Sequence, residues 1–174
     1  MPDREDMHGY QNRSVAFGKH HSFCALWLSM GLGKSVSTAT LMRDLMWEFE
    51  VGRTLVVAPK RVALTTWPME FRKWSHLRDI KYQVIAGTKE ERMRALLKKA
   101  DVHIISVDNL HWLWETVGNQ WPWDMVVFVV VAALVVVVNR TTMLAREGAA
   151  TAVLAGDVGQ APAPTTPRRP VGVS

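Results

Sequence analysis

The chain has 174 residues, enough for one domain with a hydrophobic core, and carries a formal net charge of +5 at pH 7. Its one cysteine, Cys24, lies in an apolar run, which excludes a disulfide framework. The charged amino terminus contains no recognisable secretory leader, so the sequence predicts a cytoplasmic protein. It also predicts no membrane anchor and no stable protein partner.

The composition changes abruptly near residue 128. Residues 129–174 contain no lysine and no aromatic residue, and they open with a valine-rich run. The apolar stretch 125–138 is shorter than the about 20 residues that a membrane-spanning helix needs, and valine favours strand. The sequence therefore predicts an incomplete globular lobe over residues 1–128 and a low-complexity, disordered or aberrant tail over residues 129–174.

Strand-like and helix-like segments alternate along the first part of the chain. Strands are predicted at 22–28, 54–58, 80–85, 102–107 and 124–128, and helices at 35–49, 62–74, 88–99 and 110–117. Several of the strands are continuously apolar. The predicted fold class is therefore α/β, with a parallel sheet covered by helices on both faces.

A glycine loop lies between the first predicted strand and the first predicted helix. Residues 28–35 are Leu-Ser-Met-Gly-Leu-Gly-Lys-Ser, the residue types of a phosphate-binding P-loop. Glycines can turn backbone N–H groups toward an anion, and the following helix adds the positive end of its dipole. Lys34 would reach the β- and γ-phosphates of ATP, and the Ser35 hydroxyl would hold Mg²⁺. A glycine-rich turn with no ligand is the alternative.

Five segments, in order, resemble the first RecA-like lobe of superfamily 2 helicases, and most of all Swi/Snf-like DNA translocases, including phage versions. The segments are His-Gly-Tyr-Gln at 8–11, Met-Gly-Leu-Gly-Lys-Ser at 30–35, and the stretches 54–60, 67–74 and 103–109. The resemblance implies a P-loop lobe that uses ATP and Mg²⁺ and acts on duplex DNA, in a bacterial or phage-infected host cell.

The resemblance also implies roles for individual residues. ATP-binding residues would be Tyr10, Gln11, Met30, Gly31, Leu32, Gly33, Lys34 and Ser35, with Lys34 and Ser35 catalytic and Ser35 the metal ligand. Nucleic-acid contacts would come from Pro59, Lys60, Arg61, Asp108 and Asn109. The Gln11 amide could pair with the edge of adenine, and Tyr10 offers a stacking face. As alternatives, Gln11 is an ordinary surface residue, Lys60 and Arg61 form a solvated turn, and Asp108 caps a helix.

One expected feature of that family is missing. The last apolar strand should end in Asp-Glu, but Val129 and Val130 stand there. The aspartate would help to hold Mg²⁺ and the glutamate would polarise the attacking water; valine can do neither. Asp124 lies at the other end of the same strand. No second lobe is recognisable either, so the sequence predicts a truncated or frameshifted, catalytically incomplete translocase.

Two other functions remain open at this stage. One is a different P-loop phosphotransferase, such as a small nucleotide kinase, although no arginine-rich lid is visible. The other is a non-enzymatic remnant that binds nucleotide or DNA through the basic loops that it keeps.

Overall fold

The chain forms one six-stranded sheet with helices on both faces. The structure is a computed structural model that describes residues 1–29, 31–130 and 134–138, with side chains at only 136 and 137 of the last segment. The helices are α1 (Gly9–His20), α2 (Lys34–Trp47), α3 (Trp67–Lys73), α4 (Lys89–Leu97) and α5 (Leu110–Val117). The strands are β1 (Phe23–Leu26), β2 (Thr54–Ala58), β3 (Tyr82–Ile85), β4 (Val102–Ser106), β5 (Met125–Val129) and β6 (Leu134–Val138). No helix in this described part is long and apolar enough to cross a membrane.

The strand order is β1-β6-β5-β2-β4-β3. Strand β2 pairs in parallel with β4 and β5, and β3 pairs in parallel with β4. Strand β6 runs antiparallel to both of its neighbours, β1 and β5. The predicted α/β class is confirmed, and the sheet is mixed but mostly parallel.

The neighbouring strands β2 and β4 are buried along their whole length, because helices cover both faces of the sheet. Alternate side chains of a strand point to opposite faces. Val56 and Ile104 belong to the core cluster that includes α1, α2 and α3. Val57 and Ile105 belong to the second cluster, with α4 and α5. Each face is therefore closed by its own group of helices.

Most predicted elements lie where the sequence places them, and the main difference is in the segment 62–74. The sequence predicts a helix there that Pro68 interrupts or restarts; the segment begins with a π-helical turn, Val62–Thr66, and continues as α3. Pro68 lies at the start of α3, directly after the π-helical turn. The sequence does not predict α1.

The valine-rich segment contributes an interior strand to the sheet, between β1 and β5. Strand β6 follows β5 after a short link, and Val136 is fully buried opposite Cys24 on one side and Val127 on the other. The domain boundary at residue 128 stays a prediction; β5 extends one residue past it. Of the predicted tail, 131–133 and 139–174 lie outside the described residues.

Ending the chain after Phe128 should destabilise the fold, because β6 is the only described strand that pairs with β1. A matched chain that ends after Val138 keeps both ladders and should unfold cooperatively in urea. We expect the free energy of unfolding of the shorter chain to be lower by about 1.5–3 kcal/mol or more, because burying one valine such as Val136 alone contributes that amount. Equal urea midpoints for the two chains would contradict this role of β6.

Candidate functional site

The glycine loop between β1 and α2 has the backbone conformation that its residues predict. Gly31 has φ +84° and Gly33 has φ +71°, both in the left-handed region that side chains other than glycine rarely adopt. Gly33 is the N-cap of α2, and the Leu32 N–H donates to the Ser29 carbonyl at 3.3 Å. Met30, predicted to bind ATP, lies outside the described residues.

The amino end of α2 is open to an anion. No side chain in the described part of the chain caps this helix, so the N–H groups of its first turn lack a side-chain acceptor. The Ser35 hydroxyl is half-buried there and makes no hydrogen bond to another described residue. Such a helix end, preceded by two glycines with positive φ, fits a phosphate group.

Lys34 is folded back over the loop that it follows. Its Nζ donates to the carbonyl of Leu28 at 2.6 Å and to that of Ser29 at 3.1 Å. The ammonium group is therefore satisfied within the chain. A bound nucleotide phosphate would have to replace the two carbonyls as the acceptor of these hydrogen bonds. A negatively charged oxygen accepts a stronger hydrogen bond than a neutral carbonyl does.

Gln11 connects helix α1 to the glycine loop. Its side chain is 5% exposed, so the alternative of an ordinary surface residue is wrong. Oε1 accepts from the His8 N–H at 2.9 Å, and Nε2 donates to the Leu32 carbonyl at 3.2 Å. Both ends of the amide are thus used inside the chain, and adenine recognition by Gln11 stays a prediction. Tyr10, half-buried, stacks on His8 with ring centroids 5.5 Å apart.

The segment before α1 is held against α2 by an ion pair between the partly exposed Arg4 and the buried Asp44. Both terminal nitrogens of Arg4 donate to the Asp44 carboxylate, at 2.5 and 2.7 Å, and Asp44 is 8% exposed. These hydrogen bonds raise the pKa of Arg4 above its ordinary value. The Ser75 N–H donates to the Pro2 carbonyl at 3.0 Å. The first residues therefore set where α1 begins, and with it the position of Gln11.

The predicted nucleic-acid residues lie together at the carboxyl edge of the sheet. Ala58 and Ser106 pair at the ends of the neighbouring parallel strands β2 and β4, so the loops that follow them are adjacent. The residues Pro59, Lys60, Arg61 and Asp108 are exposed, and Asn109 is half-buried. Asn109, and not Asp108, is the N-cap of α5. The alternative that Asp108 caps this helix is therefore wrong.

Two residues that the sequence did not indicate, Ser106 and Arg92, join this group through Asn109. Asn109 donates from Nδ2 to the Ser106 hydroxyl at 3.0 Å and accepts from Arg92 Nη1 at 2.8 Å. Arg92 comes from α4, 17 residues earlier. Nothing local in a helix rich in charged residues distinguishes Arg92 from Arg94; only the tertiary contact does.

The end of β5 carries no acid. Val129 packs partly buried against the core, and Val130 is exposed. Asp124 lies at the opposite end of β5, where its Oδ2 accepts from the N–H groups of Gly52 and Arg53 at 2.9 and 3.1 Å. Asp124 thus connects the beginning of β5 to the residues directly before β2. Among the described residues no group of three His, Cys, Asp or Glu side chains could hold a metal ion.

Comparisons with known proteins agree on one family. The model of the SNF2-related domain matches residues 10–130. A protein named p41 from Acyrthosiphon pisum secondary endosymbiont phage 1 is 42% identical over 104 residues, which are 59% of this chain and 23% of the phage protein. Helicase swr1 of Aspergillus fumigatus is 45% identical over 64 residues, 36% of this chain and 4% of the helicase.

A solved structure shows the same fold. The Sulfolobus solfataricus SWI2/SNF2 ATPase core in complex with dsDNA matches with a TM-score of 0.53 and 25% identity, over 60% of this chain and 22% of that one. The chain thus spans less than a quarter of the length of these relatives.

The two loop glycines allow strain to be separated from steric overlap. A Cβ on Gly31 would meet no atom within 4 Å, whereas a Cβ on Gly33 would lie 2.2 Å from Gln11 Nε2. Gly31→Ala should cost about 1–2 kcal/mol from the positive φ alone, and Gly33→Ala should cost more. The difference should shrink in a Gln11→Ala background. Urea denaturation measures the unaltered chain, Gln11→Ala and both glycine variants in each of these two backgrounds; equal losses for Gly31→Ala and Gly33→Ala in the unaltered background would contradict the contact.

Proposed function

Since the chain belongs to the family of SNF2-related domains, we propose that it is the ATP-binding lobe of a DNA helicase or translocase. We propose further that this copy binds ATP and duplex DNA without hydrolysing ATP. The observation that carries the proposal is the glycine loop with positive φ at Gly31 and Gly33, directly before the uncapped amino end of α2.

The chain's own groups have distinct tasks in nucleotide binding. The first-turn N–H groups of α2 would donate to phosphate oxygens, and Lys34 would move its ammonium from the loop carbonyls to the β- and γ-phosphates. Because Gln11 holds the Leu32 carbonyl, it would keep the loop in position while this exchange takes place. Gln11 and Tyr10 are also the candidates for contacting the base.

Mg²⁺ fits this site only in part. When bound with ATP it neutralises phosphate charge, and Ser35 offers a hydroxyl oxygen for it, which is a hard ligand of the kind that Mg²⁺ prefers. The side chains at the end of β5 add no oxygen. The nucleotide's phosphates and water would therefore supply most of the ligands, which favours weak metal-nucleotide binding.

The lack of hydrolysis follows from Val129 and Val130. Neither side chain can accept a proton from an attacking water molecule, and a positioned general base typically contributes about 10²–10⁴-fold to a rate.

DNA binding is supported by the related ATPase core, whose structure was solved with dsDNA. On this chain the exposed Lys60 and Arg61 lie at the carboxyl edge of the sheet, next to Asn109. The phage relative favours a phage or bacterial context.

Replacing Lys34 should weaken nucleotide binding strongly. Lys34→Ala removes a charge-assisted contact, typically worth about 1.5–3 kcal/mol, so the affinity for Mg-ATP should fall about tenfold to a hundredfold. Lys99→Ala removes the same charge from an exposed position and should leave the affinity unchanged. Calorimetric titration measures both; equal affinities for the unaltered chain and Lys34→Ala would argue against the phosphate site.

The chain should release no phosphate from ATP above the buffer rate, with or without duplex DNA. The reason is that no acid stands at the end of β5 to activate water. In the double variant Val129→Asp/Val130→Glu the new carboxylates should tighten Mg-ATP binding. DNA-stimulated hydrolysis by the unaltered chain that disappears in Lys34→Ala would overturn the proposal of an inactive lobe.

A further inference from the structure

A pocket of about 430 Å³ lies at the amino edge of the sheet, the edge opposite to the glycine loop. The residues directly before β2, β3 and β4 form one wall, and the carboxyl end of α2 with the residues after it forms the other. Because α2 has 14 residues, this end of the helix lies about 20 Å from its amino end. The pocket is therefore separate from the candidate nucleotide site.

The charged side chains of this pocket leave one carboxylate without an ion pair. Asp79 and Asp101 line the pocket, together with a single cation, Arg43. Arg43 Nε donates to Asp79 Oδ1 at 3.4 Å, so these two side chains form a pair. Asp101 Oδ2 accepts from the main-chain N–H of Lys81 at 2.8 Å, and its Oδ1 accepts from no described residue. Asp101 can therefore still pair with a cation.

The carboxyl end of α2 favours a cation at the same place. A helix carries roughly half a negative charge at its carboxyl end, and basic residues in the last turn stabilise it. The last turn of α2 contains no basic residue. The helix end and the Asp101 carboxylate thus attract a positive charge from two walls of one pocket.

Two strongly exposed aromatic side chains line the pocket beside these groups. Trp47 is 65% exposed and Phe49 is 94% exposed. The guanidinium carbon of Arg43 lies 5.0 Å from the centre of the Trp47 ring, so this ring already contacts one cation. Aromatic faces attract ammonium and guanidinium groups and also cover their apolar substituents. The apolar lining is completed by Met46, Val51 and Ile80.

Phe49 has a backbone conformation that does not suit its side chain. Its φ is +57°, in the left-handed region. Its N–H donates to the Met46 carbonyl at 3.2 Å and the Glu50 N–H to the Leu45 carbonyl at 3.0 Å, an arrangement that usually has glycine at this position. Strain of this kind is found at functional sites. Because the side chain is almost fully exposed, packing against described residues does not offset the strain.

We propose that this pocket binds an organic cation, with its ammonium or guanidinium group beside Asp101 and its apolar part against Trp47 and Phe49. A free ammonium compound and a basic side chain of a polypeptide share this chemistry, so the experiment includes both. The inference does not depend on the proposed function, since it uses none of the residues assigned to ATP or DNA.

The first test is calorimetric titration of the full chain with two cations. Choline represents a free ammonium compound, and acetyl-arginine amide represents a basic side chain. The control is the uncharged alcohol in which a carbon atom replaces the choline nitrogen. We expect saturable binding of at least one cation, and the tighter of the two identifies the source. If neither cation binds, or if the alcohol binds as tightly as choline and acetyl-arginine amide does not bind, the proposal is wrong.

The second test removes the proposed contacts one at a time. Asp101→Asn keeps an acceptor for the Lys81 N–H but loses the charge, so the affinity for the bound cation should fall about tenfold to a hundredfold. Glu115→Gln removes the same charge from an exposed position on α5 and should leave the affinity unchanged. Trp47→Ala should weaken binding about twofold to thirtyfold. Trp114→Ala, at a tryptophan of similar exposure, should have no effect.

Thermal unfolding checks that each of these variants folds. If Asp101→Asn does not fold, the comparison of Trp47→Ala with Trp114→Ala decides. An affinity that is the same in the unaltered chain as in either pocket variant would overturn the proposal.

Phe49→Gly separates a binding role of this residue from a structural one. Glycine adopts the left-handed conformation without strain, so the unfolding temperature should rise. The affinity for the cation should fall at the same time, because an aromatic wall is lost. A lower unfolding temperature with unchanged affinity would show that Phe49 serves the fold, and would overturn its place in the site.

Discussion

The burial of β2 and β4 on both faces is the constraint on which the rest of the molecule depends. Strands such as Thr54–Ala58 and Val102–Ser106 have no face that water can reach, so they require helices on each side. Helical crossovers keep such strands parallel, and parallel strands end at a common edge. The glycine loop and the basic segment after β2 both lie in connections that leave this edge.

Two polar side chains of the candidate nucleotide site, Lys34 and Gln11, already have hydrogen-bond partners within the chain. Lys34 is bonded to two loop carbonyls and the Gln11 amide to His8 and Leu32, so neither group is left as an uncompensated polar atom. Nucleotide binding would therefore be an exchange of hydrogen bonds. The affinity would depend on the difference between carbonyl and phosphate acceptors, and not on the full strength of each new contact.

The sequence predicted those parts of the fold that local chemistry determines. Helix α4 begins where the sequence places it, at a capping box in which the Glu91 N–H donates to the Thr88 hydroxyl and the Thr88 N–H to the Glu91 carboxylate. Helix α1 was not predicted, because Val15 is the only large apolar residue among its buried positions. The strand order and the place of Arg92 depend on pairing between distant segments, which periodicity does not encode. The SNF2-like resemblance was confirmed because its segments carry specific residues in a specific order.

The antiparallel direction of β6 has a consequence for biosynthesis. Strand β1 leaves the ribosome well before its described strand partner, since Phe23 lies opposite Val137, which is made more than a hundred residues later. Contacts of such high sequence separation form late and slow folding. Until then β1 would expose both edges, with the large side chains of Phe23 and Trp27 beside them. The nascent chain would therefore need protection from aggregation while the residues between β1 and β6 are made, and the glycine loop that follows β1 would become ordered late.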